Sequence, residues 1–188
     1  MDEDLLKKYN DLYLSVIMRY RDYIEENENL YVAELPGLVT PEDDAVVSFA
    51  EGIKGSSYSY DTDFASAAVS ARRYVDSLST ISLPIQFWQR TSETMRNAAG
   101  DAFDKAVLLC SILIALGNTS SRVLVLTREA ERSIAVYFEH AGLTTYIDIE
   151  KGIRVFDSKE SMLREAMGRT GSESTAYEFN DRMYADIT

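Results

Sequence analysis

Gly100-Asp101-Ala102-Phe103-Asp104-Lys105-Ala106-Val107-Leu108-Leu109, running on to Leu116-Gly117, is the most strongly patterned stretch of the chain. Phe103, Ala106, Val107, Cys110, Leu113, Ile114 and Gly117 recur at three- and four-residue steps, the period of a helix with a buried face. Asp101 and Asp104 fall in its first turn, where carboxylates complement the positive end of the helix dipole. After Gly117 the period drops to two. Arg122 to Thr127 (RVLVLT) and Arg132 to Glu139 (RSIAVYFE) read as strands, and His140-Ala141-Gly142 as a turn. Leu143 to Ile149 returns as a hairpin partner, and Lys151-Gly152 turns into a further strand, Ile153 to Phe156.

Upstream, Asp4 to about Leu35 carries Leu5, Leu12, Val16, Tyr20, Tyr23 and Ile24 near helical spacing, giving one long amphipathic helix or two broken near Glu28. Thr40-Pro41-Glu42-Asp43 reads as a helix start, with a hydroxyl cap, Pro at the first position and acids in the first turn. That helix runs to Ile53 and stops at Gly55. A polar loop, Ser56 to Asp63, precedes a third helix, Phe64 to Leu78. Ile81 to Gln89 (ISLPIQFWQ) reads as an extended segment and Thr91 to Asn97 as a short helix. A last helix spans about Ser158 to Met167, with Asp157 and Glu160 in a capping pattern. Helices first and strands later predict an α+β fold. The predicted organisation is one globular domain, with a helical region over 1–80, a core over 81–168 and a loosely patterned tail over 169–188.

The chain has 188 residues, 46% hydrophobic, with 19 basic against 31 acidic side chains and a net charge of −12. A surface of that sign repels phosphate backbones and anionic lipid, so nucleic acid and membranes are poor partners. The longest apolar run, Ala106 to Leu116, is too short to span a bilayer. Asp2, Glu3 and Asp4 carry the wrong charge for a signal peptide, so a cytoplasmic location is expected. A single cysteine excludes an internal disulfide and a multi-Cys zinc site. Neither Asp43-Asp44 nor Asp61-x-Asp63 has the twelve-residue loop of a calcium hand. No metal or cofactor is therefore expected.

The stretch from Gly100 to Gly117 resembles the central helix of transglutaminase-like, papain-fold proteins, where the pattern is Gly-(acid)-Cys-x-Asp-x-(small)-x-Leu-Leu closing at Leu-Gly. Phe87-Trp88 and Thr91-Ser92-Glu93-Thr94-Met95 resemble the lead-in of bacterial and archaeal members. Downstream, Ser133 to Glu139, the turn ending at Gly142 and Tyr146-Ile147-Asp148 resemble the hairpin that carries the family's His and Asp. The resemblance covers roughly Ile81 to Asp157. It implies a core of one helix packed on a small antiparallel sheet, and a cleft holding a Cys-His-Asp triad.

A thiol at a helix N-terminus meets the dipole and unpaired N–H groups that favour the thiolate. A neighbouring imidazole moves its proton, and a carboxylate orients the imidazole. Here the nucleophile position is Ala102 and the base position is Ser133; only Asp148 keeps its residue type. Two losses point to natural degeneration rather than an engineered change. Cys110 lies eight residues along the helix from Ala102, about 12 Å at 1.5 Å per residue, on the apolar stripe where cysteine acts as a small hydrophobe. His140 lies about 23 Å from Ser133 along an extended strand, in the turn. Lys105 reads as a solvated lysine. Trp88, Asp101 and Asp104 remain as cleft candidates, each with a structural reading of its own: packing anchor for Trp88, helix-dipole complement for the acids.

The expectation is therefore a catalytically inactive member, a binding or scaffolding module for a protein or peptide partner. Two rivals remain. One is a hydrolase using cleft carboxylates among Asp101, Asp104 and Asp148. The other is an assembly protein self-associating through its N-terminal helix.

Overall fold

The structure, a computed structural model, describes residues 3–23, 32–81, 87–128, 131–168 and 174–187. Its elements in chain order are α1 (Glu3–Arg19), a 3-10 helix (Val32–Leu38), α2 (Asp44–Lys54), α3 (Tyr60–Ser77), β1 (Ser79–Thr80), α4 (Thr91–Asn97), β2 (Ala99–Gly100), α5 (Ala102–Ala115), β3 (Arg122–Arg128), β4 (Glu131–His140), β5 (Leu143–Asp148), β6 (Gly152–Phe156), α6 (Lys159–Met167), β7 (Ser174–Phe179) and β8 (Tyr184–Ile187). The expected α+β arrangement of a central helix on an antiparallel sheet is present. No helix among the described residues is long and apolar enough to cross a membrane.

Six strands form one antiparallel sheet in the order β6-β5-β4-β3-β7-β8, and β1 pairs with β2 in a small parallel ladder. Side chains alternate between the two faces of such a sheet, so each face gathers a different set. Val123, Val125, Val136, Phe138, Ile147 and Phe179 pack into the main core with α5 and with residues of α2 and α3. Leu124, Leu126, Ala135, Tyr137, Tyr146 and Ala176 face the other way, against Met162 of α6. The molecule is thus layered, with helices α2 to α5 on one side of the sheet and α6 on the other.

The pattern of α5 predicts one buried stripe, but the helix is enclosed on every side: Phe103 to Ile114 are all buried, including Asp104, Lys105 and Ser111. The helices α2, α3 and α4 cover what the sheet leaves open. Fully burying each of Leu108, Leu109, Ile112 and Leu113 contributes about 1.5–3 kcal/mol. Two glycines bracket the helix for steric reasons. A Cβ on Gly100 would lie 2.9 Å from the Asp104 Cβ. Gly117 has φ 111°, and its Cβ would come 3.1 Å from the Tyr60 ring. The Gly at the start and the Leu-Gly at the end of the quoted pattern are therefore packing requirements.

Several boundaries differ from the sequence reading. Thr40-Pro41-Glu42 is a turn, and α2 starts at Asp44 with Asp43 as the cap, its carboxylate accepting from the Ala45 N–H at 2.9 Å. The cap moves because the Asp43 carboxylate reaches that N–H, while Thr40 is drawn instead to Ser111 and Thr91. The third helix begins at Tyr60, taking in the end of the supposed polar loop, where Asp63 accepts from the Ser59 N–H. The cap of α6 is Ser158, paired reciprocally with Ser161, rather than Asp157. The tail assigned to 169–188 supplies β7 and β8: Val123 to Arg128 pair with Phe179 to Ser174, placing β7 beside β3. Of the N-terminal helix, Glu3–Arg19 is as expected, whereas its continuation over 24–31 and part of the extended segment, 82–86, lie outside the described residues.

Candidate functional site

The amino end of α5 is built from a closed set of hydrogen bonds. Asp101 caps the helix through the Asp104 N–H (2.8 Å), and Asp104 Oδ2 accepts in return from the Asp101 N–H (3.1 Å). Asp104 Oδ1 also accepts from the Gln89 N–H, and Oδ2 from Gln89 Nε2, while Asn97 donates to Gln89 Oε1. Asp104 is only 3% exposed. Burial pushes its carboxyl pKa up, the nearby Asp101 charge adds to this, and the hydrogen bonds from Gln89 and Asp101 oppose it. Asp101 and Asp104 therefore hold the helix terminus and the preceding segment together; Asp104 is not the cleft carboxylate that a hydrolase reading needs.

Ala102 follows at the first helical position, half-buried, its methyl group at the amino end of α5. Beside it, Phe103 stacks on Trp88 at 5.3 Å and on Phe179 at 5.9 Å. The Arg132 guanidinium lies 5.6 Å from the Phe103 ring centre and donates to the Tyr177 hydroxyl at 2.9 Å. Trp88, Phe103, Phe179, Tyr177 and Tyr184 form a continuous aromatic row. Trp88 is half-buried, so it is both an anchor and part of this surface.

Ser133 and Asp148 are brought together, with the Ser133 hydroxyl 3.2 Å from Asp148 Oδ2. They do not join Ala102. Ser133 shares its strand face with Ala135 and Tyr137, and Asp148 with Tyr146, all on the α6 side of the sheet. Helix α5 packs on the opposite side. The expected single cleft holding Ala102, Ser133 and Asp148 is thus divided by the sheet. Strand periodicity is the cause, because one residue of offset reverses the face. The β4 residue that approaches the α5 terminus is Arg132, which the sequence reading passed over. A signal for it existed: Ile134, Val136 and Phe138, the bulkier apolar set of β4, share parity with Arg132 and mark the helix-facing side. Gln89 was also missed, since nothing in its local pattern distinguishes a buried amide.

The remaining candidates lie elsewhere. Cys110 is fully buried in the core, and burial drives its thiol pKa well up. His140 ends β4 and packs against Tyr60 (5.3 Å) and Phe64 (5.0 Å), half-buried rather than free in a turn. Lys105 is not solvated: it is 6% exposed, and its ammonium donates to Leu78 O and Thr80 Oγ1, both at 2.8 Å. One acid of each pair, Asp43 and Asp63, is spent on a helix start, and no group of three or more metal-ligating side chains occurs among the described residues.

No family model matches the sequence, and no curated protein matches it. Among solved structures the chain is similar to Legionella pneumophila LapG, at 13% identity and a TM-score of 0.52, over 82% of this chain and 87% of that one. The EGTA-treated form of Legionella pneumophila LapG aligns at 12% identity and 0.51, over 84% and 90%. Identity this low speaks for the fold alone. The helix on an antiparallel sheet, with further helices around it, is the α+β fold of the transglutaminase-like, papain-type proteins.

Proposed function

We propose that this chain is a transglutaminase-like domain without thiol chemistry, retained as a binding or scaffolding module for a protein or peptide. One observation carries the reading: the amino end of α5 presents the Ala102 methyl, and the only thiol of the chain is sealed in the core further along the same helix. The base is missing as well, since His140 packs on Tyr60 and Phe64 at the far end of β4. The half-buried Trp88, Tyr177 and Tyr184, seated on the buried Phe103 and Phe179 with the exposed Arg132 across them, offer the contact surface, because aromatic and Arg side chains dominate recognition energetics.

Thiol labelling tests this. Cys110 in the native protein is expected to react with a disulfide reagent only on unfolding, whereas Ala102→Cys labels at least about a hundredfold faster, being at a helix N-terminus. Ala102→Cys combined with Arg132→His should accelerate labelling further near neutral pH, and the pairing with Ser133→His should not. Peptide or amide hydrolysis by the unaltered protein would overturn the proposal.

The assembly reading has an observation of its own. Leu12, Val16 and Tyr20 of the first helical segment are 58%, 46% and 55% exposed at four-residue steps. Self-association through that row predicts a sedimentation coefficient rising with concentration and a strict monomer after Leu12→Glu with Val16→Glu. A monomer at every concentration in the parent protein removes this reading.

A further inference from the structure

On the α6 side of the sheet, away from α5, lies a cavity of about 450 Å³ that contains Ser133 and Asp148. Its floor is a group of fixed oxygens. Asp148 cannot swing, because Oδ1 accepts from the N–H groups of Glu150 (3.0 Å) and Lys151 (2.8 Å). Its main chain is held too, with Arg72 donating to the carbonyls of Asp148 and Ile149 at 3.0 Å each. Among the described residues Asp148 Oδ2 has only the rotatable Ser133 hydroxyl, at 3.2 Å. Tyr146 lines the same cavity, its hydroxyl shared between Ser133 and Arg154, so that three oxygens gather in one corner, one of them on a buried carboxylate. That is the acceptor set of a primary ammonium, which has three N–H donors.

The mouth has the opposite sign. Lys151 has no ion-pair partner among the described residues, and Arg154 divides itself between Glu165 (2.7 Å) and the Tyr146 ring (4.9 Å). Two cations and two carboxylates line the cavity, so it is neutral within a chain of net charge −12, and a polyanion is not its complement. The Tyr146 face is covered by Arg154, which leaves no flat platform for a sugar or a nucleobase. Leu126 and Ala166 make the remaining wall apolar. We propose that this cavity binds a free aliphatic α-amino acid, its ammonium on Asp148, Ser133 and Tyr146, its carboxylate on Lys151 and Arg154, and its side chain against the apolar wall. The site lies across the sheet from the α5 terminus and is independent of whether that terminus is catalytic.

The test uses L-leucine, N-acetyl-L-leucine and L-leucinamide with the full chain, followed by amide chemical shifts and calorimetry. L-leucine is expected to bind saturably with a Kd of about 1 mM or tighter, shifting the amides of Lys151 to Arg154. Removing either ligand charge should weaken binding at least about tenfold, as either the buried Asp148 or the Lys151 and Arg154 cations then lose their counter-charge. Ser133→Ala and Arg154→Gln should each weaken L-leucine at least about tenfold by the same logic. These two variants keep the test open should Asp148→Asn fold poorly. Absence of saturable shifts with L-leucine, equal binding of N-acetyl-L-leucine, or unchanged affinity in both variants overturns the proposal.

Discussion

Glu178→Ala is expected to lower the unfolding free energy by about 3–5 kcal/mol, the usual result of removing one partner from a buried charge network. Glu178 is 4% exposed in β7 and accepts from the Tyr137 hydroxyl at 2.5 Å and the Lys159 ammonium at 2.7 Å, with Arg122 Nε at 3.7 Å. It fastens the first residue of α6 to the sheet centre. Without it, a buried hydroxyl and an ammonium lose their acceptor. For a domain of this size the loss corresponds to a fall in Tm of roughly 10 °C. Replacing the set together, as Tyr137→Phe, Lys159→Met and Glu178→Leu, should recover most of it, because a buried ion pair is commonly no better than well-packed apolar groups. Urea unfolding of the single and triple variants decides this. A single variant within about 1 kcal/mol of the parent would mean that water replaces the carboxylate at no cost.

Asp104→Ala is expected to cost about 2–4 kcal/mol, since it strands the buried Gln89 N–H at about 1–3 kcal/mol and the half-buried Asp101 N–H at about 1 kcal/mol. The pH dependence separates charge from bonding. The folded pKa of Asp104 lies above its ordinary value, so the folded state holds this proton more tightly than the unfolded chain. Its contribution therefore falls as pH rises from the ordinary carboxylate value through the raised one, and is greatest below both. Comparing the parent with Asp104→Ala between about pH 3 and 7 should show the gap between them narrowing as pH rises through that window. A gap that widens instead would assign Asp104 a depressed pKa and a paired charge.

The central helix was legible because its signals agree: three- and four-residue apolar spacing, an acid cap and a terminal glycine all specify one element in one place. The hairpin Arg132 to Ile149 was legible for the same reason. What escaped reading was information carried only by the third dimension. Lys105 looks like any surface lysine, and only the carbonyl of Leu78 and the hydroxyl of Thr80 make its burial tolerable. Residues 174–179 (STAYEF) alternate, yet the inward set on one face is Ala176 and Glu178, small and charged, so the strand was hidden by the very residue that anchors it. The pairing of Ser133 with Asp148 could be read from their spacing. Which side of the sheet they occupy needed the position of α5 as well.

The place of β7 has a consequence for biosynthesis. As the nascent chain leaves the ribosome, β3, β4, β5 and β6 can zip into hairpins in the order in which they emerge, each with its predecessor. The outer flank of β3, however, stays open until residues 174–179 have been translated. For that interval a newborn Val123-Leu124-Val125-Leu126 ribbon offers bare amides and carbonyls to any neighbour, the kind of edge that seeds aggregation. Arg122, at the head of the ribbon, stands where a gatekeeper charge would be placed to keep polysome-bound copies apart.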